Sequence, residues 1–401
     1  MKKFLIVILN LTFIPGFLYS QDIKPGIVIT KKNYANYLKS MKELLPRGSF
    51  IWLSNGLKEG WTTIPVVEKK IYPPPKGFAE ATAKNTGKFK VGKDNKLTGI
   101  KSWQAGLPFP NPKSGAELAW NVYRRRECAE EFECKSTFCL LNKDGKLERS
   151  FRNFFIKKAY VGRTDIFPIP EITGNNGNIS WKEAMLVFEP FDVRGFSQIR
   201  IHYEDLYKDD DVYSYIPALR RIRRLTGTDV TDPVLGSDCC YDDFEGWHQK
   251  LNPRMTFKSL GYRNFLVPSY YTDKTPMSFA GGNCFQVNWE IRPLWMLEVL
   301  MNDPNYAYQK RIIYAEKEDN SYGIAYYDTY DLKSRLWRTY DVIIRYLDES
   351  SFQRNYVGFM YADQQAEHYS GGPWDPIVSE LGKVFIPPKT FTVRELLKRA
   401  K

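Results

Sequence analysis

Lys310 to Asp348 reads KRIIYAEKEDNSYGIAYYDTYDLKSRLWRTYDVIIRYLD. The stretch is dense in aromatic and β-branched residues and is cut twice, at EDNS and at DLKS, by residues that favour turns. Runs of this composition joined by short turns form consecutive antiparallel strands, a meander. Working outward, RNFFIKKAYVGR, EAMLVFEPFD, SQIRIHYED and DDVYSYIPALRRIRR have the same character. The chain reads as β-dominated, with helices in a minority.

Three segments carry a helical pattern. In TKKNYANYLKSMKELLPRG, Tyr34, Leu38, Met41, Leu44 and Leu45 fall on one helical face, so a helix is expected over about residues 31–45, ended by Pro46 and Gly48. SGAELAWNVYRRRE reads as a short helix capped by Ser114, with Glu117 in the capping-box position and Arg124 to Arg126 at the favourable C-terminal end. TVRELLKRAK reads as a terminal helix. Between Phe50 and Gly99 the sequence is mixed and turn-rich, and YPPPKG excludes a helix at Pro73 to Pro75.

The chain opens MKKFLIVILNLTFIPGFLYSQ. Lys2 and Lys3 precede a broken apolar run from Phe4 to Leu18, and Ser20 stands before polar Gln21, the layout of a cleavable secretory signal over residues 1–20. The competing reading is a short anchor that stays uncut. No cysteine precedes Cys128, so a lipid-attachment cysteine near the cleavage point is absent. Residues 21–401 contain no Pro/Ser/Gly-rich linker and no solenoid-type repeat, which favours one large β-rich domain with insertions. The formal net charge is +12. In an exported protein this favours anionic surfaces such as lipid head groups over nucleic acid.

Six cysteines in an oxidising compartment lead to an expectation of disulfides, although Cys239 and Cys240, being neighbours, should each pair elsewhere. Cys128, Cys134 and Cys139 could supply a local bridge; the alternative is buried thiols.

YSYIPALRRIRRLTG, Tyr213 to Gly227, concentrates Arg220, Arg221, Arg223 and Arg224 among apolar residues. Alternation as a strand gives two faces that are each half apolar and half charged. A helix from Ala218 fits as well, and the pattern leaves both open. The bland account is internal ion pairing with KDDD just upstream or with Asp242 and Asp243; the sharper one is contact with anionic head groups or a partner.

Catalytic signals are weak. His202, His248 and His368 lie far apart with no metal-type spacing. DCCYDDFEGWH gathers acids, thiols and a histidine without matching a zinc pattern. No nucleotide-binding loop and no G-x-S-x-G elbow occurs. Neither a metal nor a cofactor nor a catalytic set is expected, and an exported enzyme using Asp242 and Asp243 is the least favoured alternative.

Several stretches resemble a known family. FAEATAKNTGKFKVGKDNKLTGIKSWQAGLPFPNPKSGAELAWN, YSYIPALRRIRR followed by DDFEGW, and KRIIYAEKEDNSYGIAYYDTYDLKSRLWR are similar, in the same order, to signatures of the exported bacterial family called domain of unknown function 1329. The adjacent cysteines are not part of its pattern. That family is grouped with LolA/LolB-like lipoprotein carriers. The resemblance implies an α+β, β-dominated fold: a strongly curved antiparallel sheet, a half barrel, with helices covering its concave face. It implies that the arginine segment is largely strand. It also implies a periplasmic carrier of a lipid or other hydrophobic molecule, working with an envelope transporter of the resistance-nodulation-division type. An envelope adaptor is the runner-up. In such a hollow, Trp103, Phe109, Trp120, Tyr215, Trp289, Trp295 and Trp337 become candidate ligand-binding residues, with plain core as the competing role of each. Burial of a ten-carbon tail would supply on the order of 8 kcal/mol before ordering costs.

Overall fold

The computed structural model describes residues 22–99, 103–126, 129–225, 231–247, 249–268, 287–348, 353–375 and 385–399. The signal reading for residues 1–20, along with Cys128, Cys284 and His248, lies outside the described residues.

The first helical segment is a 3-10 turn, Tyr34–Tyr37, running into α1 (Leu38–Leu44). Pro46 then serves as the N-cap of α2 (Arg47–Glu59), most of which lies where the sequence suggests turn-rich chain. α3 (Lys76–Lys84) begins directly after the proline run, α4 (Gly115–Tyr123) follows Ser114, and α5 (Val393–Arg399) closes the chain. The Ser114 hydroxyl accepts from the Glu117 N–H at 3.2 Å, as its capping pattern predicts.

Two short ribbons pair β1 (Val28–Ile29) with β2 (Ile64–Pro65), and β3 (Lys90–Val91) with β4 (Leu97–Thr98). All other strands join one sheet. β5 (Glu131–Leu141), β6 (Leu147–Ala159), β7 (Ile179–Glu189), β8 (Ser197–Tyr203), β9 (Asp211–Ile216) and β10 (Arg221–Leu225) step outward to one edge. β11 (Met255–Pro268), β12 (Trp289–Met301), β13 (Lys310–Glu316), β14 (Ile324–Tyr330), β15 (Leu336–Asp348), β16 (Gln353–Asp363) and β17 (His368–Asp375) step inward from the other edge. The two meanders meet where β5 pairs with β17, giving a 13-stranded antiparallel sheet that is not closed. The opening stretch Lys310 to Asp348 is β13, β14 and β15, as expected.

The sheet is strongly curved, and its buried ion pairs show which way. Arg200 on β8 and Arg311 on β13 are eight strands apart in the sheet order, about 38 Å on a flat sheet. Yet Arg200 Nη2 lies 3.3 Å from Asp242 and Arg311 Nη2 lies 2.9 Å from Asp243, the next residue. Two arginine side chains cannot span that distance, so the face bearing both is concave. The segment they hold belongs to the connection between β10 and β11. That connection must run from one free edge of the sheet to the other, and it does so through the hollow.

Apolar residues divide between the faces by strand alternation. Toward the hollow point Phe151, Phe155, Met185, Val187, Tyr327, Tyr340, Phe359 and Tyr361, and α4 packs over β11 and β12 on this side with Trp120 fully buried. Helices thus cover part of the concave face. α1 and α2 lie on the outer face, where Met41, Trp52, Leu53 and Leu57 pack with Tyr326, Ile343 and Met360. α5 covers the outer face of the other half through Leu396, against Ile156, Leu186 and Ile199. Gly48 explains how α2 gets so close: a Cβ there would sit 1.6 Å from Thr339 Oγ1.

The expected disulfides are not formed among the described residues. Cys134, Cys139, Cys239 and Cys240 are all buried as thiols. Cys134 and Cys139 are an odd number of positions apart on β5, so they point to opposite faces and belong to different clusters.

The arginine segment is neither one strand nor a helix. It is a hairpin: β9 and β10 pair in register, with Pro217–Leu219 in the turn and Arg220 in the left-handed region at φ +50°. Pro217 breaks the strand because it has no N–H to continue the ladder.

Candidate functional site

The hollow is occupied by residues 231–247, which include Asp238 to Trp247, DCCYDDFEGW. Its acids are anchors. Asp243 accepts from Arg311 at 2.9 Å and from the Tyr308 hydroxyl at 2.8 Å, and its backbone oxygen accepts from Tyr361 at 2.9 Å. Asp242 accepts from Arg200 at 3.3 Å and from the Tyr306 hydroxyl at 3.0 Å. Burial raises the Asp242 carboxyl against the pull of Arg200. Glu245 pairs with Lys157 on β6. Cys240 donates its thiol to Asp243, and burial holds the Cys239 and Cys240 thiols well above their usual range, so both stay protonated. With these partners Asp242 and Asp243 fasten a plug.

Beneath the plug lies an apolar cavity of about 50 Å³, lined by Phe138, Phe151, Phe155, Met185, Val187, Val234, Phe244, Tyr340, Phe359 and Tyr361. It spans strands from β7 to β15. Its volume is far below the roughly 300–1,000 Å³ of a site that takes a drug-sized ligand. The plug sets Phe244, Tyr241 and Val234 against this cavity, while a wider cleft of about 970 Å³ remains beside Arg200, Asp210, Arg224, Asp242 and Lys250.

A second, polar pocket of about 150 Å³ adjoins it, and Glu245 lines both. Here His202 stacks on Trp181 with ring centroids 4.5 Å apart. Its Nδ1 lies 2.8 Å from Asp210 and its Nε2 lies 2.7 Å from the Tyr123 hydroxyl. Burial lowers the imidazole pKa although Asp210 opposes it. A neutral ring donating to Asp210 and accepting from Tyr123 satisfies all three groups. Arg124 forms a two-pronged bond to Glu204 at 2.9 and 2.7 Å and stacks 4.0 Å from the Trp103 ring centroid. Burial would raise the Glu204 carboxyl, but Arg124 pulls it down to about 2. Glu183, by contrast, is pushed up to about 8, first by burial and then by nearby Glu245, against Arg200 and Lys157.

The aromatic candidates scatter. Trp103 lines the polar pocket. Phe109 and Trp120 belong to the covering layer over β11 and β12, with the Phe109 backbone held by Asn121 and the Trp120 indole donating to Asn95 O at 2.9 Å. Trp295 faces the same side, edge-on to Tyr262. Trp337 is half-buried and donates to Asp363 at 2.9 Å. Two fall on the wrong face for a hollow: Trp289 is fully buried in the outer-face core, and Tyr215 alternates outward on β9 beside inward Ser214. None of the seven lines the apolar cavity. The phenylalanines that do line it lie outside the sequence candidates; their signal is alternation, Phe151 and Phe155 flanking Asn153, and Phe138 between Ser136 and Leu140.

Arg220, Arg221, Arg223 and Arg224 are exposed on the β10 edge hairpin. Internal ion pairing, the bland account, is met by Arg224, which reaches Asp211 at 2.5 Å. Arg220 and Arg221 have no acidic partner among the described residues. Asp242 and Asp243 are engaged by Arg200 and Arg311 inside the hollow instead.

Among solved structures, the chain is similar to a domain described as an outer membrane lipoprotein-sorting protein from Vibrio parahaemolyticus, at 16% identity and TM-score 0.50, covering 71% of this chain and 98% of that one. It is similar to a DUF1329 family protein from Desulfovibrio piger at 15% identity and TM-score 0.49, covering 67% and 92%. A LolA superfamily protein from Nitrosomonas europaea follows at 13% and 0.42, covering 70% and 98%. No curated protein matches the chain. The first of these shows that the chain shares that domain's fold. A family described as "protein of unknown function (DUF1329)" matches residues 28–382, nearly the whole chain, and the protein belongs to that family.

Proposed function

We propose that the protein is a periplasmic carrier of an amphiphile, a lipid or similar molecule with an apolar tail and a compact polar head, and that it exchanges this cargo with an envelope transporter of the resistance-nodulation-division type. The observation that carries the reading is the cover of the hollow. The apolar concave face is closed by a separate segment held by ion pairs as well as by packing, and that segment sits between an apolar cavity and a polar pocket. Withdrawal of residues 231–247 would expose a continuous apolar wall from β7 to β15. A tail would then replace Phe244 and Tyr241, while Lys157, Ser180 and Tyr123 would meet the head. The lipoprotein-sorting description of the Vibrio protein points the same way. Trp103 would flank the head; Phe109, Trp120, Trp295 and Trp337 would act as supporting wall. Export through the signal at residues 1–20 and a single working unit over 21–401 belong to the same reading.

The test is organic extraction of freshly purified protein with mass identification of the extract, together with binding of the fluorescent apolar probe phenylnaphthylamine. Met185→Trp, which fills the cavity, is expected to weaken probe binding about tenfold. An empty extract with probe binding unchanged in Met185→Trp removes the carrier reading and leaves an envelope adaptor.

A further inference from the structure

A second surface lies at one end of the sheet, away from the hollow. The β7–β8 turn carries Phe191 with 84% of its surface exposed, the β9–β10 turn carries Leu219 at 62%, and Ile222 on β10 is at 58%. Single exposed apolar residues are ordinary; a contiguous group is not. These turns touch. Phe196 and Gly195 end the β7–β8 turn, and a Cβ on Gly195 would lie 3.6 Å from Pro217 of the neighbouring turn. Arginines surround the group. Arg194 donates to Phe188 O at 3.0 Å and lies 5.7 Å from the Phe191 ring; Arg149 pairs with Asp192; Arg152 pairs with Glu189 at 3.1 Å. Arg220 and Arg221 complete the rim. Residues 143–152, 188–196 and 217–225 together hold nine basic and four acidic side chains. Arg220 also occupies the left-handed region at φ +50°, where glycine or asparagine sits at lower strain.

We infer that this end of the protein docks on an anionic phospholipid surface, with Phe191, Leu219 and Ile222 entering the interfacial layer and Arg194, Arg220 and Arg221 meeting lipid phosphates. Aromatic and aliphatic side chains ringed by arginine match that boundary, where apolar groups are buried shallowly and cations find anionic heads. The hairpin also ends the sheet, so its charges blunt an edge that could otherwise recruit another strand. This inference does not rest on the carrier reading.

The experiment is co-sedimentation of the full mature chain with phosphatidylcholine vesicles, with and without about one-third phosphatidylglycerol. Expected are preference for the anionic vesicles, weakening at roughly 0.5 M salt, and about tenfold losses in both Arg220→Gln/Arg221→Gln and Phe191→Ser/Leu219→Ser. All four positions are exposed, so melting temperatures should stay at the wild-type value. Equal binding to neutral vesicles overturns the inference. So does full binding by the Phe191→Ser/Leu219→Ser variant, which would make the contact purely electrostatic. Absence of vesicle binding together with cross-linking of this surface to an envelope protein also overturns it, whatever the cargo experiments give.

Discussion

Two segments are fastened to opposite faces of the same sheet by buried carboxylates, and they are fastened differently. On the outer face, α2 brings uncharged donors. The Gly48 N–H meets Asp328 at 3.2 Å, while Ser49 Oγ and Trp52 Nε1 meet Asp341 at 2.7 and 2.8 Å. The donors in these bonds are uncharged, and burial pushes Asp328 up to about 6, against Thr339, the Gly48 N–H and Arg47, and Asp341 well above its usual range. On the concave face, the plug brings the carboxylates, and the sheet brings Arg200, Arg311 and Lys157. α2 also buries Trp52, Leu53 and Leu57 completely. The outer attachment is a packed joint whose polar part titrates. The inner one adds ionic latches to the packing of Trp247, Tyr241 and Val234 over a small gap.

The largest effect should come from breaking the packed joint. Trp52→Ala removes a fully buried ring and leaves Asp341 short of a donor, for a loss of about 5 kcal/mol in urea unfolding. Hydrogen exchange at residues 240–247 should stay slow in the folded fraction. Next, Arg311→Met strips the cation from Asp243, at about 3 kcal/mol. Here exchange at 240–247 should accelerate while the amides of α2 keep their protection, and phenylnaphthylamine binding should rise. If both variants loosen both segments alike, the distinction between joint and latch is wrong.

The third effect is smaller and depends on pH. Native Asp328 holds its proton up to about pH 6, whereas an unfolded aspartate loses it near 3.9. Between those values the native state binds more protons, so wild-type stability must fall as pH rises. Asp328→Asn has no such proton to lose. Relative to wild type it should gain about 2 kcal/mol from pH 4 to pH 7, read as the difference between denaturation midpoints at the two pH values. Parallel pH profiles would mean that Asp328 does not titrate in this window.

The meander at Lys310 to Asp348 was legible because turn residues at EDNS and DLKS punctuate runs of β-branched and aromatic residues, and local signals suffice for local pairing. α2 was not legible. Gly48, Ser49, Asn55 and Gly56 are poor helix formers, but small residues at 48 and 49 are what let the helix approach Thr339 and Asp341. The arginine hairpin escaped both periodic readings for a related reason. β10 is the sheet's last strand and leaves Arg221 to Arg224 exposed on both sides, so no burial selects a phase. The hollow was the hardest feature to read. Tryptophan marks burial without marking a face, and Trp289 and Tyr215 turned away from the hollow while Phe138 and Phe155 turned toward it. Which face is concave depends on the union of β5 with β17 and on the path of one long connection, neither of which leaves a short-range trace.

That union also fixes the order in which the protein is assembled. Leu141 of β5 pairs with Tyr369 of β17, and Gly372 permits the contact, since a Cβ there would meet Thr137 O at 1.6 Å. As the chain emerges, β5 through β10 can zip up early by neighbour-to-neighbour pairing, but the inner border of that ribbon waits for β17, the last of the described strands to be synthesised. The middle of the finished sheet is therefore the latest part to form. Until then β5 is an open template for stray strands, and the nascent chain depends on being shielded there more than at either final edge.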